Sequence, residues 1–385
     1  MKLARLENLE IVLYILVIAL MIMSIIVVLS ASARYSEILS AKNDPHDLAL
    51  KHASRILFAF ITMIVVSKIP YKKWKDYTQI FMIISVSLLI AVLFFGVEKK
   101  GAIRALNLKL FELQPSFLAL LAIILHFANL IEKKGERIKD FKFGFLPMIS
   151  WIMIIAFLIF LQPNFSQGMV IIFIGICLMF IGGANLQHIL FTALASLPFL
   201  TIYVFSAEYR YQRLATYMQR IFNSTLTDPD PQVRYSIFAI GSGGLFGVGI
   251  GNSRYRELFI PEAHTDFIFS IFAEEFGFIG ALILLTIYIS IFVIGVVMIK
   301  KLKDSFTQIV TAGIIISLMV YVFANTLVVV GVLPTTGLPL PFMSFGGSSL
   351  VIFAIALGIL LNFASTLRTE QQTNLESFIY NTELR

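Results

Sequence analysis

The sequence predicts an all-α polytopic membrane protein of about ten transmembrane helices, and three observations carry that expectation. Of 385 residues, 58% are hydrophobic, 36 are phenylalanine and only 14% are charged, with a mean hydropathy of +0.88, far from a soluble globular domain. Apolar runs of the roughly 17–25 residues needed to cross a ~30 Å hydrocarbon core recur along most of the chain. Short Lys- and Arg-rich connections alternate with less basic ones, as cytoplasmic and outer loops do. Little chain is left for a soluble domain, so residues 1–385 read as one integral membrane domain.

In order, the spans fall at 11–31, 54–70, 77–96, 115–131, 144–161, 167–183, 187–205, 266–299, 309–332 and 345–365. "ASA" at 31–33 fits a small-residue cleavage site, but the apolar stretch before it is about twice the length of a signal-peptide core, so the first span reads as uncleaved. The eighth is too long for one perpendicular crossing, so its first part is expected in the interface or tilted. "SKIPYKKWKDY", "EKKGERIKDFKFG" and "KKLKDS" go to the cytoplasm with both termini by the positive-inside rule. Between the seventh and eighth spans lies a long extracytoplasmic loop, 206–265, and after the tenth a polar, flexible cytoplasmic tail, 366–385. The outer loops carry Arg104, Lys109, Arg210, Arg213, Arg220, Arg234, Arg254 and Arg256, an excess of positive charge that points to an anionic partner. Cys177, the single cysteine, sits within the sixth span as a packing residue and leaves no intramolecular disulfide.

Four stretches carry candidate chemistry. "GSGGLFGVGIG" at 241–251 either bares backbone N–H groups toward a phosphate or packs backbone closely in a re-entrant segment; without the strand context and lysine-serine ending of a P-loop, it is no nucleotide motif. "GLPLPFMSFGGSS" at 337–349 is a rigid, turn-rich approach to the last span, where Ser348 caps the helix or bonds a ligand. "PEAHTDFIFSIFAEEFG" at 261–277 sets His264 and Asp266 just before an apolar run that holds Glu274 and Glu275. Thr265 or Asp266 is a helix cap or a reactive acid, and His264 a polar anchor or a substrate contact. Acids inside a span are costly and count as site candidates, Glu275 among them, although one could partner an outer-loop arginine. "KKGAIRALNLKLFELQPSF" at 99–117 offers Arg104 and Lys109 as a phosphate clamp on what is otherwise a solvated loop.

Together, "GA-R" at 101–104, "QPS" at 114–116, "QP" at 162, "IGSGGLFGVGIGNS" at 240–253, "PEAHTDFIF" at 261–269, "AEEFG" at 273–277 and "PFMSFGGSS" at 341–349 resemble the SEDS (shape, elongation, division and sporulation) family, FtsW/RodA/SpoVE, over nearly the whole chain. Ala263 and "GNS" at 251–253 stand nearer its FtsW branch. The resemblance implies a peptidoglycan glycosyltransferase that polymerises lipid II at the outer face of the bacterial cytoplasmic membrane, beside a class B penicillin-binding protein and other division or elongation proteins; nucleic acid is not an expected partner. It also implies that the "HTDF" acid, Asp266, is the essential one. One base for the acceptor hydroxyl suffices when diphosphate leaves, whereas a glycosidase normally needs two flanking carboxylates. Arg104, Lys109, Arg210 and Arg213 are the diphosphate candidates, with His264, Glu275 and Ser348 as further substrate contacts. A divalent cation, Mg2+ or Mn2+, could share the charge, although the chain shows no metal-ligand cluster; no organic cofactor is expected.

The chain departs from the family pattern at Phe117 and Leu120, where glutamate and lysine are usual, at Ala105 for tryptophan and at Asn164 for aspartate. Losing a paired acid and base together costs less than losing one. Two other functions are compatible with a polytopic chain. A flippase for the lipid-linked precursor would show charged or helix-breaking residues near the midplane of several spans, whereas most spans here are clean. An inactive scaffold would not need Asp266.

Overall fold

A computed structural model describes all residues except 1–8, 40–43, 100–101, 108–111, 207, 223–230, 257–258, 261–262 and 384–385. Each expected span is a helix, because in hydrocarbon every backbone donor and acceptor needs a partner within its own segment. The chain runs α1 (Leu9–Leu39), α2 (Asp47–Ser67), a short α3 (Tyr71–Asp76), α4 (Thr78–Phe95), a small sheet, α5 (Pro115–Lys134), α6 (Leu146–Leu161), α7 (Phe165–Ile181), α8 (Leu186–Phe205), α9 (Glu208–Phe222), α10 (Pro231–Gly243), α11 (Ile268–Ile299), α12 (Ser305–Val329) and α13 (Ser348–Glu383). Among the described residues nine helices are long and apolar enough to cross a membrane, and α7 is a shorter apolar one.

Burial sorts the helices. In α5, 83% of the apolar window is buried, in α13 72% and in α12 67%, against 6% for α8. The first three form the centre of the bundle, and α8 presents apolar side chains outward. At one end Lys75 meets Glu132 at 2.7 Å and Asp304 at 3.8 Å, joining the three basic connections, and Arg368 lies 3.8 Å from Glu10. The first and last long helices therefore share that end. At the other end gather the sheet, the described residues of 231–256 and 263–267, and the approach to α13.

Three details differ from the sequence expectations. The 99–117 connection is not a plain loop: β1 (Val97–Lys99), β2 (Ala102–Asn107) and β3 (Glu112–Leu113) form an antiparallel sheet in the order β1-β2-β3. The stretch 206–265 holds two helices, α9 and α10. The segment after residue 365 is helical to Glu383, because "STLRTEQQTNLESFIYNTE" contains neither Gly nor Pro to stop α13.

Candidate active site

The eighth span is broken at Gly277. Gly277 has φ +68°, a left-handed conformation that favours glycine, and it divides α11 into a short buried arm, 268–276, and a long crossing, 278–299. The break frees backbone groups on both sides. Glu274 and Glu275 carbonyls accept from the N–H groups of Val248 (3.0 Å) and Gly249 (3.1 Å), while the N–H groups of Phe278 and Ile279 donate to Gly244 O (2.9 Å) and Leu245 O (3.1 Å). The glycine-rich loop thus completes the broken helix, and an added Cβ at Gly247 or Gly277 would overlap the opposing backbone. Close backbone packing is therefore what the glycines serve. The acids of "AEEFG" hold the same loop: Glu274 accepts from Ser253 Oγ and from the Arg254 N–H at 3.0 Å. Glu275 accepts from Ser30 Oγ and from the Gly251 N–H at 3.0 Å. Arg256 donates to Ser30 Oγ at 3.0 Å, so an outer-loop arginine does join the Glu275 cluster.

Asp266 stands differently. Phe267, not Thr265 or Asp266, occupies the cap position of α11, and Asp266 is half-buried. Its backbone carbonyl accepts from Asn325 Nδ2 at 2.8 Å, and the same amide donates to Leu338 O at 2.9 Å. One side chain of α12 thereby ties the Asp266 turn to the approach to α13. Gly337 lies beside the carboxylate: a Cβ there would stand 3.5 Å from Oδ2. The turn is fixed from behind as well. His264 O accepts from the Phe345 N–H at 2.9 Å, and the His264 ring packs 4.8 Å from Tyr35 and 5.6 Å from Phe345 between centroids. Ser24 Oγ donates to Met343 O at 3.1 Å and lies 2.6 Å from His52 Nε2. With the hydroxyl proton spent on Met343, Nε2 is the donor of that pair.

The other candidates divide. Arg213 donates to Thr335 O at 3.3 Å and Tyr217 to Val332 O at 2.7 Å, laying α9 along the segment that reaches Gly337. Arg210 sits 3.8 Å from the centre of the Tyr203 ring. Arg104 is half-buried in β2, and Lys109 lies outside the described residues, as do Pro261 and Glu262. Ser348 accepts from the Gln114 N–H at 2.8 Å and donates to Glu112 O at 2.6 Å, joining β3 and the start of α5 to α13. Glu275 is 1% exposed and directs its oxygen into the glycine loop. Phe117 and Leu120 are buried; Phe117 packs with Tyr321 and Phe353 at 5.9 and 6.4 Å. Among the described residues no group of three His, Cys, Asp or Glu side chains could hold a metal ion. Sequence reasoning missed Asn325, His52 and Arg55. Asn325 could have been found as a polar residue inside a span. His52 and Arg55 fell at the edge of a span started at 54, whereas α2 begins at Asp47.

What the fold and this end of the bundle define is a multi-pass membrane protein with one half-buried carboxylate between braced loops and a fringe of arginines. The chain belongs to the FtsW/RodA/SpoVE family of cell cycle proteins, whose family model matches residues 10–369. It is 33% identical over 383 residues to the probable peptidoglycan glycosyltransferase FtsW of Trichlorobacter lovleyi, covering 97% of each chain. It is also 33% identical to stage V sporulation protein E of Bacillus subtilis, covering 92% of this chain and 96% of that one. One chain of a peptidoglycan synthase complex that coordinates polymerization and crosslinking shares the fold with TM-score 0.72 at 24% identity, covering 92% of this chain and 96% of that one. The Thermus thermophilus rod shape determining protein RodA does so with TM-score 0.68 at 23% identity, covering 92% and 95%.

Proposed function

We propose that this protein polymerises lipid II into glycan strands at the outer face of a bacterial cytoplasmic membrane, with Asp266 as the general base. The glycosyltransferase role in cell-wall synthesis follows from the family and from relatives that carry that name over nearly their whole length. The observation that carries the base assignment is that Asp266 alone among the acids of 261–277 with described burial is half-buried, on a turn whose backbone is fixed by Asn325.

In this reading Asp266 takes the proton of the acceptor sugar hydroxyl as that oxygen attacks the anomeric carbon of the donor. The bond from that carbon to the lipid diphosphate breaks, and the diphosphate leaves with the electron pair. Arg104, Lys109, Arg210 and Arg213 are the cations offered to it, with His264 and Ser348 bracing the walls. A divalent cation, Mg2+ or Mn2+, would arrive with the diphosphate. The three basic connections support cytoplasmic termini by the positive-inside rule, which would set Asp266 outside. A class B penicillin-binding protein, in company with other division or elongation proteins, would crosslink the strands.

The test is polymerisation of labelled lipid II by the purified protein with its cognate transpeptidase. Asp266→Asn is expected to lower the rate by about 100-fold or more, with the thermal midpoint unchanged. Native-rate synthesis by a folded Asp266→Asn protein would remove the base assignment; no polymer from either form would move the reading to transport or scaffolding.

A further inference from the structure

Arg55 is an arginine within a membrane span that neither the loop clamp nor the Asp266 braces consume. It lies eight residues into α2, about 12 Å along the helix axis from Asp47, where a guanidinium is costly unless it has a task. Its guanidinium carbon stands 4.6 Å from the centre of the Phe345 ring. His264, two residues before Asp266, packs on that same ring. Yet among the described residues Arg55 makes no hydrogen bond and no ion pair within 4.0 Å, and none of its nitrogens is among the sealed, unpartnered polar atoms. The neighbouring polar group behaves in the opposite way: His52 spends its Nε2 proton on Ser24, whose hydroxyl goes to Met343 O.

The ring holds the guanidinium in place and leaves the five donors unspent. A stacked, oriented fork of that kind suits bidentate capture of a phosphate better than an ammonium would. The half of α5 nearest the sheet, "PSFLALLAIILHFA", has no lysine or arginine. We propose that Arg55 binds the diphosphate of the lipid-linked substrate, one aromatic ring away from the Asp266 turn. The proposal rests on the polymerase reading for its substrate; its chemistry, a membrane-embedded diphosphate, does not depend on turnover.

The experiment uses the full-length purified protein with its transpeptidase and three forms: native, Arg55→Gln and Arg55→Lys. Two quantities are read, the KM for lipid II in polymerisation and the Kd for undecaprenyl diphosphate, with phosphatidylglycerol nanodiscs as the control for a general headgroup site. Removing a charge-assisted bidentate contact is expected to raise both KM and Kd roughly tenfold or more in Arg55→Gln. The kcat and the thermal midpoint should stay near native, and Arg55→Lys should recover part of the loss. Unchanged KM and Kd in folded Arg55→Gln overturn the proposal, as does a loss that tracks the thermal midpoint or equals the loss of phosphatidylglycerol binding. Should Arg55→Gln not fold, native values in Arg55→Lys overturn it, because the ammonium cannot reproduce the fork. A native protein that makes no polymer but binds undecaprenyl diphosphate through Arg55 would end the polymerase reading and keep the phosphate site.

Discussion

Asp266 and the pair Glu274 and Glu275 stand within ten residues of one another and are treated in opposite ways. The two glutamates are each 1% exposed and direct their oxygens at Ser253, Arg254, Ser30 and Gly251. Asp266 is half-buried, and its backbone carbonyl accepts from Asn325. A carboxylate that accepts several fixed donors is a structural brace, since removing it strands buried N–H and O–H groups. A carboxylate carried on a braced turn beside a glycine is placed for something that comes and goes. Polarity in a membrane span is a site signal by default, and burial is what separates the two kinds of acid.

The largest way to break the brace is at its hinge. Gly277→Ala must place a Cβ on a left-handed backbone and against the backbone of Gly247 and Leu245. The four cross-bonds that complete the broken helix then cannot form together. The expected result is destabilisation of about 3 kcal/mol or more, read as a lower thermal midpoint in detergent and faster proteolysis within 244–256. A Gly277→Ala protein that melts like native would show that the loop and the broken helix are not interlocked.

A smaller effect separates the acids directly. Glu274→Gln keeps one acceptor oxygen for the Arg254 N–H but turns an amide toward the Ser253 hydroxyl. The cost is about 1–3 kcal/mol, with polymerisation falling only as the folded fraction falls and KM unchanged. Asp266→Asn should do the reverse, losing rate while keeping the thermal midpoint. If both substitutions acted on rate at full stability, the distinction drawn from burial would fail.

Much of this was legible in the chain. Ten apolar runs gave ten helices, because hydrocarbon leaves the backbone no other way to satisfy itself. "HTDF" and "AEEFG" pointed to the segment that carries the half-buried Asp266 and the two buried glutamates. The break at Gly277 was not legible: a glycine within a long apolar run reads as tolerated packing, and only the partner loop, some thirty residues earlier, reveals that the helix stops there. His52 was hidden by a boundary: with the span started at 54, "DLALKHA" read as flank although α2 already includes it, and Arg55 fell on the span's second residue. Asn325 was hidden by its surroundings: a lone amide in an apolar helix announces a partner without saying which, and its two acceptors, the carbonyls of Asp266 and Leu338, are distant in sequence.

The same contrast between brace and chemistry decides how to read α5. Where the family pattern has a glutamate and a lysine, this chain has Phe117 and Leu120, 5% and 3% exposed. Phe117 lies against Tyr321 and Phe353, and Tyr321 in turn donates to Gln167 at 2.6 Å. An apolar wall with its one hydroxyl already satisfied can pack and shape but can neither move a proton nor hold a phosphate. Phe117→Leu, which keeps the wall apolar, is therefore expected to cost about 1 kcal/mol of stability and to leave kcat and KM for lipid II near native. A tenfold loss of kcat/KM in a protein with a native thermal midpoint would mean that the wall positions substrate, and α5 would rejoin the site through shape instead of charge.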